Sequence, residues 1–558
     1  MMRRQKTWNR PLLVLIGLLL LMVGCSSQTK DLNPQEIAQR ARSDHKFVQA
    51  QRDHRPTSVT LYGAMAKAVQ ANQALRIQAY ETSLALQQKA LTRQAMLPQL
   101  LLDAGYNSRD NDPSSYNEGA SAASISREKS TFQGDITLAW NALDFGLSYL
   151  ETKQQANTLF IKRQQRRKAV QNLLEEVREA YWNAVLADRL LPHVTSTIQA
   201  LNQQLLLLQQ AERQGEAPPV QLLKKQRALL DHLEQLNASH NELARAKLAL
   251  ANLMHLAPGT PYQTRIHNGE FLDGSVVRLP AEVLEAFALA NRPELREDDY
   301  RQRINNLEVR KAMVKMLPGI QLTAGGHHDS NRYLINNSWL DAGLNLSWNM
   351  LTWGHDGHPI TIAQMERELA DAQHLTRAVT ILAQLHMSLD GFLAATADYD
   401  VTQQIHQVMQ RMANHLTVQR KSYKLSSYEE LISRAQTVTS AHRLGRTFTQ
   451  SQASMGRIYR SLGVDLLPKN WEQAITHENR LAAFIDQGHR AGRYNLHRLA
   501  SQQRMVAARP PAQIKVPIRR SPIPKAARTT AGQAVVIDPN AFLHGPSTSS
   551  VFDGTAIP

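Results

Sequence analysis

The sequence predicts a mainly α-helical chain with a small β component, laid out as two successive copies of one plan. Three observations carry this. LPQLLLDAG at 97–105 returns as LPGIQLTAG at 317–325, with Pro98 and Pro318 lying 220 residues apart. WNALDFG at 140–146 returns as WNMLTWG at 348–354, in the same order relative to the first pair, which marks an internal duplication with a long period. Around these pairs run long stretches of Ala, Leu, Gln, Glu, Lys and Arg, the strong helix formers.

Taken in order, the chain opens on a targeting pattern. Arg3, Arg4, Lys6 and Arg10 precede an apolar run over 12–23 that is short for a membrane span. The run ends in Met22-Val23-Gly24-Cys25-Ser26, which resembles a bacterial lipoprotein signal and makes Cys25 the expected lipidation site; the alternative is an ordinary cysteine after an uncleaved anchor. Ser26 after the cysteine resembles outer-membrane sorting in Gram-negative bacteria. As the sole cysteine, Cys25 also excludes an intrachain disulfide.

Helical periodicity starts near Val59 and is expected to run as one helix to Pro98, where the missing donor and the proline ring stop it. Period-two alternation follows at 99–106, then a polar loop over 107–131, then a second alternating segment ending at Trp140. From about 147 to 213 only Pro192 interrupts the helix formers. At the α-helical rise, such a rod spans on the order of 100 Å, more than an ordinary globular core requires. Gly215, Pro218 and Pro219 turn the chain, and 220–254 returns as a helix, making an αα-hairpin. The second copy repeats this with a helix over 281–315, strands over 319–326 and 341–349, a rod over 360–423, a turn at Leu425-Ser426-Ser427 and a return helix to about 462. Asn72 matches Asn291 at an offset of 219 and Leu75 matches Leu295 at 220, whereas Gln226/Gln436 and Pro258/Pro468 match at 210, because the second inter-strand loop is shorter. Beyond Pro468 a helical piece is expected to about 504, followed by a basic, Pro-rich tail with the composition of a disordered segment.

The strand segments separate two faces. Leu100, Leu102, Ile136, Leu138, Ile320, Leu322, Leu344 and Leu346 lie on one; Asp103, Asp135, Thr137, Gln321, Thr323, Asn345, Ser347 and Asn349 lie on the other. Such alternation suits lipid-facing barrel strands, with Tyr106, Trp140, Tyr333, Trp339 and Trp348 near strand ends as an interfacial girdle, and it equally suits a soluble sheet with one wet face. The helices decide between the two. Four strands cannot close a membrane barrel and open edges are not tolerated in hydrocarbon, so several copies must pool their strands, and the rods continuing from them pool into a helical tube.

Over about 59–468 the sequence resembles the TolC family of outer-membrane factors. The resemblance is carried by the duplicated Leu-Pro strand openings, the Trp-Asn…Gly passages from strand to rod, Asn291-Arg292-Pro293-Glu294-Leu295, and Gly215 at the hairpin tip. It implies a homotrimer in which duplicated long αα-hairpins form a periplasmic α-barrel under a 12-stranded transmembrane β-barrel, four strands per protomer. It also implies an exit duct of a tripartite efflux pump or type I secretion system, partnered by a periplasmic adaptor and an inner-membrane transporter and sited in the outer membrane of a Gram-negative bacterium. The adaptor would meet the tips at Gly215, Pro218, Pro219, Leu425, Ser426 and Ser427, with Glu429 and Glu430 as candidate gate carboxylates. The chain departs from the family where Leu425 replaces the usual glycine and Ser433 stands near the usual acid. The competing reading is a lipid-anchored periplasmic coiled-coil adaptor or scaffold, for which four period-two segments would have no use.

These readings divide the chain into a signal peptide (1–24), an anchored segment (25–58), two repeats (59–268 and 269–468) and the tail (469–558). The net charge of +16 is spread along 558 residues and partly held in that tail, which argues against a nucleic-acid partner. There is no phosphate loop, nucleophile elbow or paired-cysteine motif, so neither enzymatic chemistry nor a cofactor is expected. His355, Asp356 and His358 lack a third strong ligand and are not expected to bind metal, and His327-His328 is assigned to a polar loop.

Overall fold

The computed structural model of the chain describes residues 31–50, 58–115, 124–256, 260–266, 274–348, 358–422, 427–467, 471 and 477–490. They belong to a unit spanning Met1–Met505; a second unit, Val506–Pro558, lies outside the described residues, as do Cys25, the 349–357 segment with His355 and Asp356, and the tip residues Leu425 and Ser426.

Helix α1 (Pro34–Ala50) buries none of its residues. Helices α2 (Leu61–Ala71) and α3 (Gln73–Gln94) lead to strand β1 (Gln99–Ser108), two short loop strands β2 (Ser114–Ser115) and β3 (Ser124–Ile125), and strand β4 (Ser130–Asn141). The rod α4 (Ala142–Gln214) and return helix α5 (Pro219–Leu253) complete the first copy. The second holds a 3-10 turn (Gly274–Arg278), α6 (Ala281–Asn291), α7 (Pro293–Val314), β5 (Gly319–Asp329), β6 (Ser338–Ser347), the rod α8 (His358–Ser422) and α9 (Ser427–Ser461). A last helix, α10, covers 478–490.

The single helices expected over 59–97 and 281–315 are each broken. Asn72 leaves the helical region (φ −67°, ψ 115°) and its side chain caps α3 by accepting from the Leu75 amide. In the second copy the break falls at Arg292 (φ −60°, ψ 128°), ahead of Pro293, which disfavours helical backbone in the residue before it. The structural counterpart of Asn72 is therefore Arg292, at an offset of 220, and not Asn291. The backbone bonds confirm this pairing: Asn72 N–H donates to Ala68 and Arg292 N–H to Ala288, both at 2.9 Å. The helix ends before Pro98 and Pro318 agree too, since Leu97 donates to Gln94 and Leu317 to Val314, both at 3.0 Å. At the far ends of α5 and α9 the chain turns through left-handed backbone at His255 (φ 53°) and Gly463 (φ 67°). A Cβ at Gly463 would come within 2.8 Å of the Asn291 carbonyl oxygen, so glycine is required there by space as well as by conformation.

The four long strands form one antiparallel sheet in the order β1-β4-β5-β6. β4 passes into α4 without a linker: Asn141 closes the strand, and its side-chain oxygen accepts from the amides of Leu143 and Asp144 as the helix N-cap.

Below the sheet, two apolar clusters stand in duplicate around the rods. Leu61, Met65 and Val69 of α2 pack with Leu174, Tyr181 and Trp182 of α4 and with Leu481 and Ile485 of α10. Leu284 and Ala288 of α6 pack with Ile381 and Leu385 of α8 and Ile458 and Leu462 at the end of α9. Farther along, α4 and α5 form an antiparallel coiled coil. Ala187, Val194, Leu201 and Leu208 recur every seven residues and face Leu222, Leu229, Leu236 and Leu243, also every seven, all of them buried; Leu250 carries the spacing on into the cluster around α2. Pro192 is tolerated on the outer face of α4, where it is exposed.

Leu236 is fully buried in this seam, so Leu236→Ala should destabilise the hairpin by about 2–5 kcal/mol per copy, and the volume-conserving Leu236→Met by less than about 1.5 kcal/mol. Denaturant unfolding followed by helical circular dichroism checks both.

Candidate functional site

The expected faces of the sheet are found in the register. Leu100 pairs with Leu138 and Leu102 with Ile136; Leu138 pairs with Ala324 and Trp140 with Leu322; Leu322 pairs with Leu344 and Ile320 with Leu346. Directly opposed residues of an antiparallel pair share a face, so these side chains form one continuous apolar surface. They are uncovered: Leu102 is 81%, Leu340 88% and Leu344 71% exposed. Tyr106 opposite Phe132 lies at one end of this surface, and Trp140 and Trp348 lie towards the helical end.

The opposite face carries Asp103, Gln133, Asp135, Thr137, Gln321, Thr323, Asp341, Asn345 and Ser347, with Leu101 an apolar exception. Two expectations are corrected here. His327 and His328 are not in a loop but in β5, opposite Asp135 and Gly134. Trp339 does not join the apolar girdle: it is the register partner of His327, and the two rings stack at 5.2 Å and 19° on the polar face. His327 Nδ1 lies 2.6 Å from Asp135 Oδ1, and its Nε2 lies 3.2 Å from Asp341 Oδ1.

At the far end of the rods the first turn closes on Gly215, whose left-handed backbone (φ 69°, ψ 25°) ends α4. The Gly215 amide donates to Glu212 and the Glu216 amide to Ala211, the paired bonds of a Schellman cap. Pro218 precedes α5 and Pro219 occupies its first turn, where the missing amide costs nothing. Gln226 donates to Glu212 at 2.7 Å and ties the two arms. In the second turn the described residues begin at Ser427, with Glu429 and Glu430 in the first turn of α9, where the helix dipole favours carboxylates. The start of α9 lies at the same end of the molecule as the first turn. Tyr428 Oη donates to the Lys225 carbonyl at 3.4 Å, and the Lys225 ammonium stands 5.3 Å from the Tyr428 ring centre, while burial raises the Tyr428 phenol. Beside this tie the hairpins leave a groove of about 560 Å³ lined by His193, Gln203, Leu207, Thr417, Glu430 and Arg434. Ser433, the residue near the family's acid, is buried. The seven-residue leucine spacing was present in the sequence as a signal for the hairpin seam; the Tyr428–Lys225 tie joins residues 203 apart and had no such signal.

Comparison with known proteins agrees with this architecture. The model of the family described as "Outer membrane efflux protein" matches residues 64–254 and 286–421, more than half of the chain. Among solved structures, the chain is similar to the Campylobacter jejuni CmeC outer membrane channel, with a TM-score of 0.58, 14% identity and coverage of 72% of this chain and 85% of that one. It is similar to the open-state Neisseria gonorrhoeae MtrE outer membrane channel (TM-score 0.57, 14% identity, 72% and 88% covered). The Vibrio cholerae outer membrane protein VceC gives a TM-score of 0.56 at 15% identity, with 72% and 96% covered. At these identities the likeness speaks for the fold, and a search of curated proteins found no match. The family match spans both strand pairs, both rods and the return helix α5, where the uncovered apolar sheet face and the first hairpin are found, and on that ground the chain belongs to the outer membrane efflux protein family.

Proposed function

We propose that three copies of this chain close into the exit duct of a tripartite efflux pump or type I secretion system, a passive conduit that opens at its periplasmic tips. The observation that carries the reading is the sheet's two open edges. Among the described residues β1 and β6 each pair on one side only, and the face they border is apolar from Ile320 and Trp140 to Leu102 and Leu340, with His328 and Ser338 the polar pair beyond. Hydrocarbon tolerates neither unpaired amides nor an open sheet, so β6 of one copy must meet β1 of the next; three copies supply twelve strands. The exterior of α8 supports the same closure. Ile362, Met365 and Leu369, then Val401, Val408 and Met412, lie exposed at spacings of three, four and seven, a seam fit for a neighbouring helix. The groove beside the Tyr428–Lys225 tie and the two turns at Gly215–Pro219 and Leu425–Ser427 would receive the hairpins of a periplasmic adaptor, which in turn meets an inner-membrane transporter. The domain limits read from the sequence belong to this proposal, with Cys25 as the lipidated first residue of the mature chain.

Purified chain should run as a trimer and give stepwise conductance in a planar bilayer. Leu138→Arg, placed on the lipid side, should lower trimer yield by the equivalent of about 2–4 kcal/mol per copy, whereas Thr137→Arg, one residue over and lumen-facing, should assemble. Equal tolerance would assign the sheet to water and remove the duct. Mass spectrometry of the mature protein should find a diacylated or triacylated cysteine at its N-terminus; a chain still carrying 12–24 would refute the anchor. In the assembled duct Glu429 and Glu430, repeated in each copy, form a carboxylate ring at the mouth. The double change Glu429→Gln and Glu430→Gln should reduce single-channel conductance in cation-rich solution; unchanged conductance would leave them as helix-start carboxylates only.

A further inference from the structure

Across the polar face of the sheet, one row of residues crosses all four strands: Asp103 on β1 is the register partner of Asp135 on β4, Asp135 of His327 on β5, and His327 of Trp339 on β6. Asp341, two residues along β6, completes the group through its contact with the second ring nitrogen of His327. The imidazole is thus bracketed by carboxylates on both nitrogens and backed by an indole. The floor of the group is glycine: a Cβ at Gly325 would lie 2.6 Å from His327 Nε2 and 2.7 Å from Asp341 Oδ1, so any larger residue would push the two apart. The other charges nearby are engaged elsewhere. Asp329, one row further along β5, accepts from Gln133 at 3.0 Å and faces Arg127 at 3.7 Å; Lys129 pairs with Asp112, and Arg332 with Glu128. No cation in the described residues lies within ion-pair distance of Asp103, Asp135 or Asp341 other than the imidazole itself.

Resting on the duct reading above, we infer that Asp103, Asp135 and Asp341 form a cation-selecting belt on the barrel's inner wall, and that His327 makes the strength of that selection depend on pH. In a three-copy barrel the belt holds nine carboxylates and three imidazoles. Its carboxylates face water on a low-dielectric wall, which concentrates their field on the permeating ion and favours cations over anions. Protonating the imidazole adds one positive charge per copy, three in the barrel, so lowering the pH weakens that preference. The charge that moves is a proton on a ring nitrogen exchanged with the lumen water, and no other bond changes. The inference concerns which ions the wall lets pass, a property separate from the opening of the tips.

The test is the reversal potential of the purified trimer in a planar bilayer under a salt gradient. The cation-to-anion permeability ratio of the wild type should fall about twofold as pH drops from about 8 to about 5, and His327→Gln, neutral throughout, should abolish most of that slope. A second variant guards against misfolding of the first: Asp341→Asn, which removes one carboxylate per copy, should lower the ratio already at pH about 8. A wild-type ratio that does not change with pH, or a His327→Gln slope equal to that of the wild type, overturns the inference while leaving the duct in place. A trimer with no conductance under any condition overturns the duct reading, and the belt with it.

Discussion

The structure depends on the rule that a backbone amide in hydrocarbon must find a partner. A sheet of four strands satisfies its inner ladders and, among the described residues, leaves β1 and β6 with one edge each unpaired. In water those edges would be an aggregation hazard. In a membrane they are a requirement for assembly, because closure into a barrel is the arrangement that removes them. The rods have no such requirement of their own, since a helix satisfies its amides internally, yet they inherit the assembly because they continue from the strands. The exposed apolar line along α8 then has an occupant without any separate argument for association.

The duplication supplies the second constraint. Each copy on its own offers two strands and a hairpin, and neither strand pair would be stable alone as a two-stranded ribbon. The ladder joining β4 to β5 is the seam between the copies within the sheet, and Arg178, Arg292 and Glu294 mark the corresponding junction lower down, all buried beside the ends of α9 and α10. There Arg292 is held by Glu294 at 3.0 Å and by Gln384 at 2.9 Å, a side-chain solution where the first copy uses the small cap of Asn72. The two copies therefore share a backbone plan and differ in the chemistry that secures it.

Much of this was legible in the residues. Leu-Pro and Trp-Asn marked the passages between helix and strand because proline and an N-capping asparagine act through local geometry, which a sequence carries in full. The faces of the strands were legible because with a period of two, placing one apolar side chain assigns every other position of the strand to a face. The break before Pro293 had its signal in the proline, but Asn72 lies in a continuous run of helix formers and its role as a cap depends on where the chain must bend to meet α4. His327 escaped for a different reason. Gly325, Gly326 and the following histidines have the composition of a loop, and pairing with β4 on one side and β6 on the other extends the strand through them. Trp339 takes the polar face because its register partner is His327, and a place near a strand end says nothing about which face an aromatic takes. The tie between Lys225 and Tyr428 depends on two hairpins lying side by side, information that no local stretch holds.

The direct passage from β4 into α4 has a mechanical corollary. Asn141 is at once the last residue of the strand and the cap of the helix, so sheet and rod share a single residue as their joint. One residue inserted just after it would advance every later position of α4 by about 100° around the helix axis and ~1.5 Å along it. Ala187, Val194, Leu201 and Leu208 would then turn away from α5, although the insertion lay more than forty residues upstream. The membrane sheet acts as the zero mark of a protractor from which the whole rod is measured, and tolerance of length change in this chain must be sought in the inter-strand loops, where the two copies already differ.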